Sequence, residues 1–593
     1  MDHAGMSRYT APRIQRNDSA RYGHTADYAS FAKQAAVSEP RNITGILQTG
    51  AATTLSSETR ISDDHVWPVS LVEVVQLALN NSEVVLVDAQ FLSSSSPLLN
   101  APESVASVYD PAIQATGVAG ARGSLAATSD FVPVLTARSI YGGDNVIQNN
   151  SVSTGLPAGS VLETDSGNLQ ISLEQQLVTG GNLELRHNTT FDQNNVTSPT
   201  NLFPNVYEGQ LAVELSQPLW GGAGEFFTAV AGPIDLISTR APSVDQGILI
   251  TRINEQLSQN DFQIALRQLV KDTGDVYQDL YLTHERYRIE TNARDAAEVI
   301  WQRQQAKSAA GTGDGLAAEA QAEENYYAAE ARVKDILSAI KLTENRLRRL
   351  IGQEPGHGFV IRPTAAPQID AVSDDWEQSL KTAFARRPEL NETFLTIQSL
   401  QMQRSASMSL TKPRLDLVSN FHVNGFGDRP FNDSGRTTPL RPNSYYQNLL
   451  RAERTGWFAG IQFSVPLDGR LNRSLQHQLE YRLAKSRAAL KAQKKEISHE
   501  LWHAFRSSER WSKQVTENQR RVDAARRQVS ALDAAFPTGR VSVDRLVRAQ
   551  TTLALAETDY ARAMTEYNKS SLEIHFRRGT LLEDLNISVR DQG

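Results

Sequence analysis

Two kinds of hydrophobic spacing dominate the chain, and they occupy separate blocks. In one, apolar residues alternate with polar or small ones. Leu211, Val213 and Leu215 enclose Ala212 and Glu214, and Ala459, Ile461 and Phe463 enclose Gly460 and Gln462. Alternation with period two predicts strands with one apolar face. In the other block the spacing is 4-3, through Ile497, Leu501, Ala504, Ser508, Trp511, Val515, Asn518, Val522, Ala525, Val529, Leu532 and Phe536, of which ten are apolar. That is a heptad seam. No glycine or proline interrupts Leu471–Phe536, so one helix of roughly 100 Å is predicted. Residues 250–309 predict a comparable helix, with Leu269, Val276, Leu280 and Tyr287 on its seam.

Both blocks occur twice. Leu215-Ser216-Gln217-Pro218-Leu219-Trp220-Gly221 recurs as Phe463-Ser464-Val465-Pro466-Leu467-Asp468-Gly469, at an offset of 248. In each copy a proline ends the ladder, because it has no N–H to donate. Leu77–Val84 resembles Ala383–Leu390, each closing a short amphipathic helix, about 69–80 and 376–386. Ala320-Gln321 recurs as Ala549-Gln550. Each long helix is followed by a turn (Gly311-Thr312-Gly313 and Pro537-Thr538-Gly539) and a returning helix that ends near Leu350-Ile351-Gly352 or Arg577-Arg578-Gly579. The chain therefore reads as a duplicated helix–strand–strand–helix unit.

Three segments are expected. Residues 1–66 form a polar extension. Residues 67–370 form a first repeat, with strands within about 131–218 and a helical hairpin at about 250–352. Residues 371–593 form a second, with strands at about 414–426 and 456–466 and a hairpin at about 470–578. The first repeat is longer between landmarks, 135 positions from Glu83 to Pro218 against 77 from Glu389 to Pro466. The surplus includes an extra hairpin, about 168–178 and 182–190 across Thr179-Gly180-Gly181, which leaves the strand count open.

Composition narrows the function. A net charge of −7 over 593 residues gives no polybasic footprint for nucleic acid. The chain has no cysteine, which removes disulfides, thiolate metal sites, cysteine nucleophiles and an acylated N-terminal cysteine. No run of 18 apolar residues is present, which excludes helical membrane spans. A β-barrel is not excluded, since its strands only alternate. Residues 1–66 show no signal-peptide pattern, leaving open a mature or trimmed chain, a misplaced start, or a cytosolic protein. No P-loop, dinucleotide fingerprint or nucleophile elbow is found, so no cofactor is expected.

The two Leu/Phe-Ser-x-Pro-Leu boxes, the helix ends Asn81–Val84 and Arg387–Leu390, and the stretch Phe536–Leu546 through Ala549–Leu553 to Gly579–Leu582 resemble the TolC-like outer membrane efflux family. The resemblance covers about residues 67–585. It implies a mainly α fold with a transmembrane β part. In that fold a homotrimer closes an outer-membrane β-barrel, continued by a long periplasmic α-helical coiled-coil barrel. Physics points the same way, since a small sheet facing lipid must pool strands with copies of itself to leave no edge. The implied role is a passive exit duct, partnered by a periplasmic membrane-fusion adaptor and an inner-membrane pump.

By position, the resemblance places adaptor-docking tips at Gly311, Thr312 and Gly313 and at Thr538, Gly539 and Arg540. The other reading of these residues is an ordinary turn between antiparallel helices. Family members often carry an aspartate just beyond the second turn. Here Arg545 and Arg548 stand there, with Asp544 one place earlier, so an acidic ring does not carry over. The two arginines share a helix face and would line a positive periplasmic entrance, or else pair with neighbouring helices. The boxes Ser216, Pro218, Leu219 and Ser464, Pro466, Leu467 would mark strand ends.

Loops at about 143–166 and 427–455, with Arg441, Arg451, Arg454, Tyr445 and Tyr446, would face outward and could contact lipopolysaccharide. Tyr141, Tyr207, Trp220, Phe421, Trp457 and Phe458 are candidates for interfacial girdles or for core packing. Two rival functions remain. One is a soluble coiled-coil structural or adaptor protein. The other is a metalloprotease built on His499-Glu500-Leu501-Trp502-His503. The second needs a third ligand, and Asp523 would lie roughly 30 Å away along a continuous helix.

Overall fold

The computed structural model describes residues 66–81, 84–85, 101–116, 133–152, 155–196, 202–203, 205–232, 244–309, 316–355, 360–364, 375–431, 444–465, 469–536 and 541–585. The expected N-terminal extension lies outside them up to residue 65.

The first repeat opens with β1 (Val66–Val69) and α1 (Leu71–Asn81), followed by four long strands. These are β2 (Val134–Ile147), β3 (Val161–Gln176), β4 (Asn182–Asn194) and β5 (Asn205–Pro218). A short α2 (Glu225–Ala231) leads into the helical pair α3 (Ile248–Ala309) and α4 (Leu316–Leu350), and β6 (Val360–Pro363) follows. The second repeat runs through α5 (Trp376–Arg386), α6 (Pro388–Leu410), β7 (Arg414–Gly427), α7 (Tyr445–Arg451) and β8 (Thr455–Ser464). It ends with α8 (Arg470–Ala535), α9 (Val543–Arg578) and α10 (Leu581–Asp584).

Local chemistry explains the matching ends of the two repeats. Helix α1 starts with a capping box, in which Glu73 accepts from the Ser70 N–H at 2.8 Å and Ser70 Oγ accepts from the Glu73 N–H at 3.3 Å. Helix α5 starts with Asp375, which accepts from the Gln378 N–H at 3.1 Å. Both returning helices end alike. The N–H of Gln353 donates to the Arg348 carbonyl, and that of Thr580 to the His575 carbonyl, each across a left-handed glycine. Gly352 (φ +70°) lies against Asn81 and Gly579 (φ +82°) against Arg386, so each turn abuts the end of its repeat's short helix.

Six strands form one antiparallel sheet in the order β2-β3-β4-β5-β7-β8. The predicted extra hairpin falls within β3 and β4, which are longer than the pattern indicated. The expected loop at about 143–166 is corrected. Residues 143–147 and 161–166 pair across β2 and β3, because the ladder continues through Gly142-Gly143. The largest core sits where α1, α3, α4, α9 and the parallel β1–β6 pair meet, around Leu269, Tyr277, Leu280, Leu347, Ile361 and Leu572. A second core, with Phe227, Val230, Ile250, Leu410 and Leu483, joins the helices just below the sheet. Among the described residues no helix is long and apolar enough to cross a membrane.

Candidate functional site

The sheet is a wall with two chemically distinct faces. Directly paired residues share a face, so one register row identifies the rest. One face carries Arg138, Gln170, Asn188 and Gln210, and the row Ser172, Arg186, Ala212, His422. On it Arg186 is bonded to Glu214 at 2.8 Å and lies near Glu184 at 3.8 Å. The other face carries Leu135, Leu173, Leu185, Val213 and Phe421 in one row, with Trp457 opposite Phe421. These side chains are exposed, Leu135 at 69% and Trp457 at 75%. An apolar face left bare over much of six strands needs a covering that is not water. A strand of 14 residues rises about 35 Å when tilted about 40°, comparable to a bilayer's hydrocarbon core.

The girdle candidates separate along this wall. Tyr141, Gly167, Phe191 and Tyr207 lie in one register row on the apolar face. Tyr141 stacks with Phe191 across the bare Gly167, at 6.2 Å between centroids, and Phe191 lies 4.7 Å from Tyr207. Phe191 is the member that the sequence reading missed, because Asp192 and Gln193 beside it mask the alternation. Phe458 is corrected, since it faces the polar side opposite Asn420. Trp220 is half exposed beyond the end of β5.

The lipopolysaccharide role of Tyr445 is overturned. Its ring is fully buried against Gly425, and its hydroxyl accepts from Thr189 Oγ1 at 2.9 Å. Helix α7 therefore braces the apolar face near its far end. Tyr446 stacks on Phe431 at 4.9 Å. Arg451 and Arg454 are exposed, and Arg441 lies outside the described residues.

The strand-end boxes tie the wall to the helices. Ser216 and Pro218 close β5, opposite Val418 and Asp416. Beyond the proline the ladder resumes, with the Leu219 N–H donating to Leu415 O at 2.7 Å and the Gly221 N–H to Pro413 O at 3.0 Å. A Cβ on Gly221 would stand 2.7 Å from that carbonyl oxygen, which accounts for glycine there. Ser464 closes β8 opposite Arg414, and Pro466 and Leu467 lie outside the described residues.

At the opposite end of the molecule the two helical hairpins meet. Ile300 of α3, Ala322 of α4, Phe536 after α8, and Val543 and Leu546 of α9 form one buried cluster. The tip residues Gly311, Thr312, Gly313, Thr538, Gly539 and Arg540 lie outside the described residues. Arg545 and Arg548 are both exposed on the first turns of α9, but they differ. Arg548 makes two 3.0 Å contacts to Asp544, which also accepts from Gln321 of α4 at 3.3 Å. Arg545 has no ion-pair partner among the described residues.

The His-Glu-x-x-His motif is a structural element. His499 and His503 are exposed on the unbroken helix α8, and no metal-ligand cluster is found among the described residues. Glu500 is engaged by Arg387 at 2.7 Å and by Arg577 at 2.9 Å, which removes it from service as a general base. Arg387, nearly buried, also holds Glu389 at 3.3 Å, and Arg267 of α3 reaches Glu389 at 3.5 Å. Burial pushes the Glu389 carboxyl up, but the Arg387 hydrogen bonds and the Arg387 and Arg267 charges outweigh it and hold the group below its ordinary value. The network links α3, α6, α8 and α9. The Arg387-Pro388-Glu389 echo was visible in the sequence, but nothing local to it pointed to Glu500 or Arg577.

No protein-family model matches the sequence, and no curated protein matches it. Solved structures do. The chain superposes on the outer membrane protein VceC from Vibrio cholerae with a TM-score of 0.54 at 13% identity, covering 86% of this chain and 99% of that one. A membrane protein from Pseudomonas aeruginosa gives 0.55 at 15% identity, covering 87% and 91%. The Campylobacter jejuni CmeC outer membrane channel gives 0.55 at 12% identity, covering 88% and 90%. With a six-stranded two-faced wall joined to paired long helices, the chain has the TolC-like fold of these outer membrane proteins.

Proposed function

We propose that the chain is the outer-membrane exit duct of a tripartite efflux or type I secretion-like system. Three copies pool their strands into one barrel, and their helical hairpins continue it as a tunnel through the periplasm. The polar sheet face lines the lumen and the apolar face meets lipid. Transport is passive. An inner-membrane pump supplies the energy, and a periplasmic adaptor docks at the tips around Gly311–Gly313 and Thr538–Arg540.

The observation that carries this reading is the exposed apolar face of a sheet whose two edges have no strand partner among the described residues. A soluble coiled-coil protein has no use for such a face, and a membrane-embedded sheet can exist only with its edges closed. The paired helices supply a bistable element for gating where their ends share one cluster. At the periplasmic end Arg548 is neutralised by Asp544, so Arg545 supplies the positive charge of the entrance.

The test is fractionation of expressing cells, heat-modifiable electrophoresis of the outer-membrane fraction, and planar-bilayer recording of the purified protein. A trimer that conducts is expected. A water-soluble species without conductance would sink the proposal. In the same recordings, Arg545→Ala should reduce anion preference more than Arg548→Ala.

A further inference from the structure

The duplicated unit predicts two strands per repeat, yet the sheet holds six, four from the first repeat and two from the second. The extra pair is built as wall. Toward one side β2 and β3 present Thr136, Arg138, Asn168 and Ser172, and toward the other Leu135, Tyr141, Ile171 and Leu173. Over the helix-proximal part of the hairpin this is the same division of polar and apolar that runs through β4, β5, β7 and β8. Only toward the far end does it mix, where Glu163 and Asp165 join the apolar side. A hairpin lying in water or across the lumen would leave that apolar side wet, with Leu135 and Tyr141 each 69% exposed.

The edges are also unprotected. Strand β2 runs for 14 residues and β8 for 10 without a proline or a lysine, the usual devices against strand addition. Six is an even number, so β2 runs away from the helices and β8 toward them. An edge pair between two copies is then antiparallel, like every other pair in the sheet.

We propose that all six strands enter the shared wall. In this arrangement β2 of one copy bonds to β8 of the next, and three copies close an eighteen-stranded barrel. The occupant of each edge is thus a second copy of this chain. The proposal rests on the trimeric reading above and adds the strand count to it. With strands about 4.8 Å apart and tilted about 40°, the backbone diameter is roughly 36 Å, against roughly 24 Å for a barrel of twelve. The outer wall would then be about 1.5-fold wider, backbone to backbone, than a two-strands-per-repeat wall.

Because the chain has no cysteine, introduced thiols report cleanly. Lumen-facing Arg138→Cys in β2 is combined in turn with Phe458→Cys, Gly460→Cys and Gln462→Cys in β8, so that the scan covers the unknown register. Oxidation should give a covalent trimer for one of these pairs. A parallel scan uses Asn188→Cys in β4 with the same β8 partners. Cross-linking through β4 instead would mean that the extra hairpin is excluded, and would overturn the proposal. A preparation that is trimeric by native mass but cross-links in neither scan overturns it too. A monomer would fail the trimeric reading itself, and the proposal with it.

A second measurement does not depend on register. Gln210→Cys faces the lumen and is labelled with maleimide-polyethylene glycols of graded size. The full chain should admit distinctly larger reagents than a variant lacking residues Val134–Gly181, by at least about 1.5-fold in diameter. Equal cut-offs in the two would overturn the proposal.

Discussion

The two repeats agree closely in their helices and disagree in their strands. Both short helices begin with a side-chain cap, and both returning helices end on a left-handed glycine pressed against the short helix of the same repeat. In the sheet, one repeat supplies four strands and the other two. The difference follows from how each part is held. The helices converge on shared cores, where a change in one end must be absorbed by several neighbours. A sheet edge has no such neighbours, so a hairpin can be added there without disturbing the rest. The helical framework is thus fixed by packing, while the wall is open to extension.

The comparison can be broken most easily at the charged network around Arg387, which ties α3 of the first repeat to α6, α8 and α9 of the second. Replacing Arg387 with Ala leaves Glu389 and Glu500 without their main partner in a partly buried setting. A loss of about 3 kcal/mol is expected, read as a fall in the thermal or denaturant midpoint of the detergent-solubilised protein. The pH dependence has a definite sign. The folded-state Glu389 carboxyl is held below its ordinary value of 4.5. Its contribution is therefore present at neutral pH and is lost as pH falls below about 4.5 through the folded value. The gap between the parent and Arg387→Ala should narrow there. A gap that widened in acid would refute the assignment.

The glycine turns test whether the repeats are as equivalent as they look. Gly579→Ala places a Cβ in a left-handed position 3.1 Å from the Arg386 carbonyl carbon, and Gly352→Ala places one 3.0 Å from Asn81 Cβ. Each should cost about 1–2 kcal/mol from backbone conformation alone, with a similar further cost at both, since the atoms met at each site are fixed to the neighbouring backbone. Asn81→Ala removes the amide's bond to the Ile351 carbonyl at 2.9 Å and should cost about 1 kcal/mol. If Gly352→Ala proved silent while Gly579→Ala did not, the equivalence would be only superficial.

How much of this could be read from the sequence follows the same division. The heptad seam at Leu501, Ala504, Val522 and Ala525 is buried as its spacing predicts, because helix contacts repeat locally. The strand boxes were legible because period two needs only a few residues. The extent of β2 through Gly142-Gly143 was not, since those glycines are held in the ladder by Ser166 and Asp165 on another strand. Tyr445 was misplaced for a similar reason. Its burial depends on Gly425 and Thr189, distant in sequence and contributing a gap and a hydroxyl that no local pattern announces. The ion network also joins residues far apart in the chain, as Arg387 and Glu500 are.

The smallest expected effect separates the zinc-protease reading of the motif from the structural one. The motif places His499 and His503 on one helical face, four residues apart, but both are exposed and neither belongs to a metal-ligand cluster among the described residues. Changing both to Ala should shift stability by no more than about 0.5 kcal/mol, as for a surface substitution. Glu500→Gln should do more, about 1–3 kcal/mol, because it weakens charge-assisted bonds to two arginines. A protease site predicts another ranking. There the histidines would matter as much as the glutamate, and added Zn²⁺ would raise the unfolding midpoint of the parent but not of the double-histidine variant. The order of the two variants relative to the parent, measured with and without the metal, decides between a catalytic site on a helix and a glutamate that holds two arginines in place.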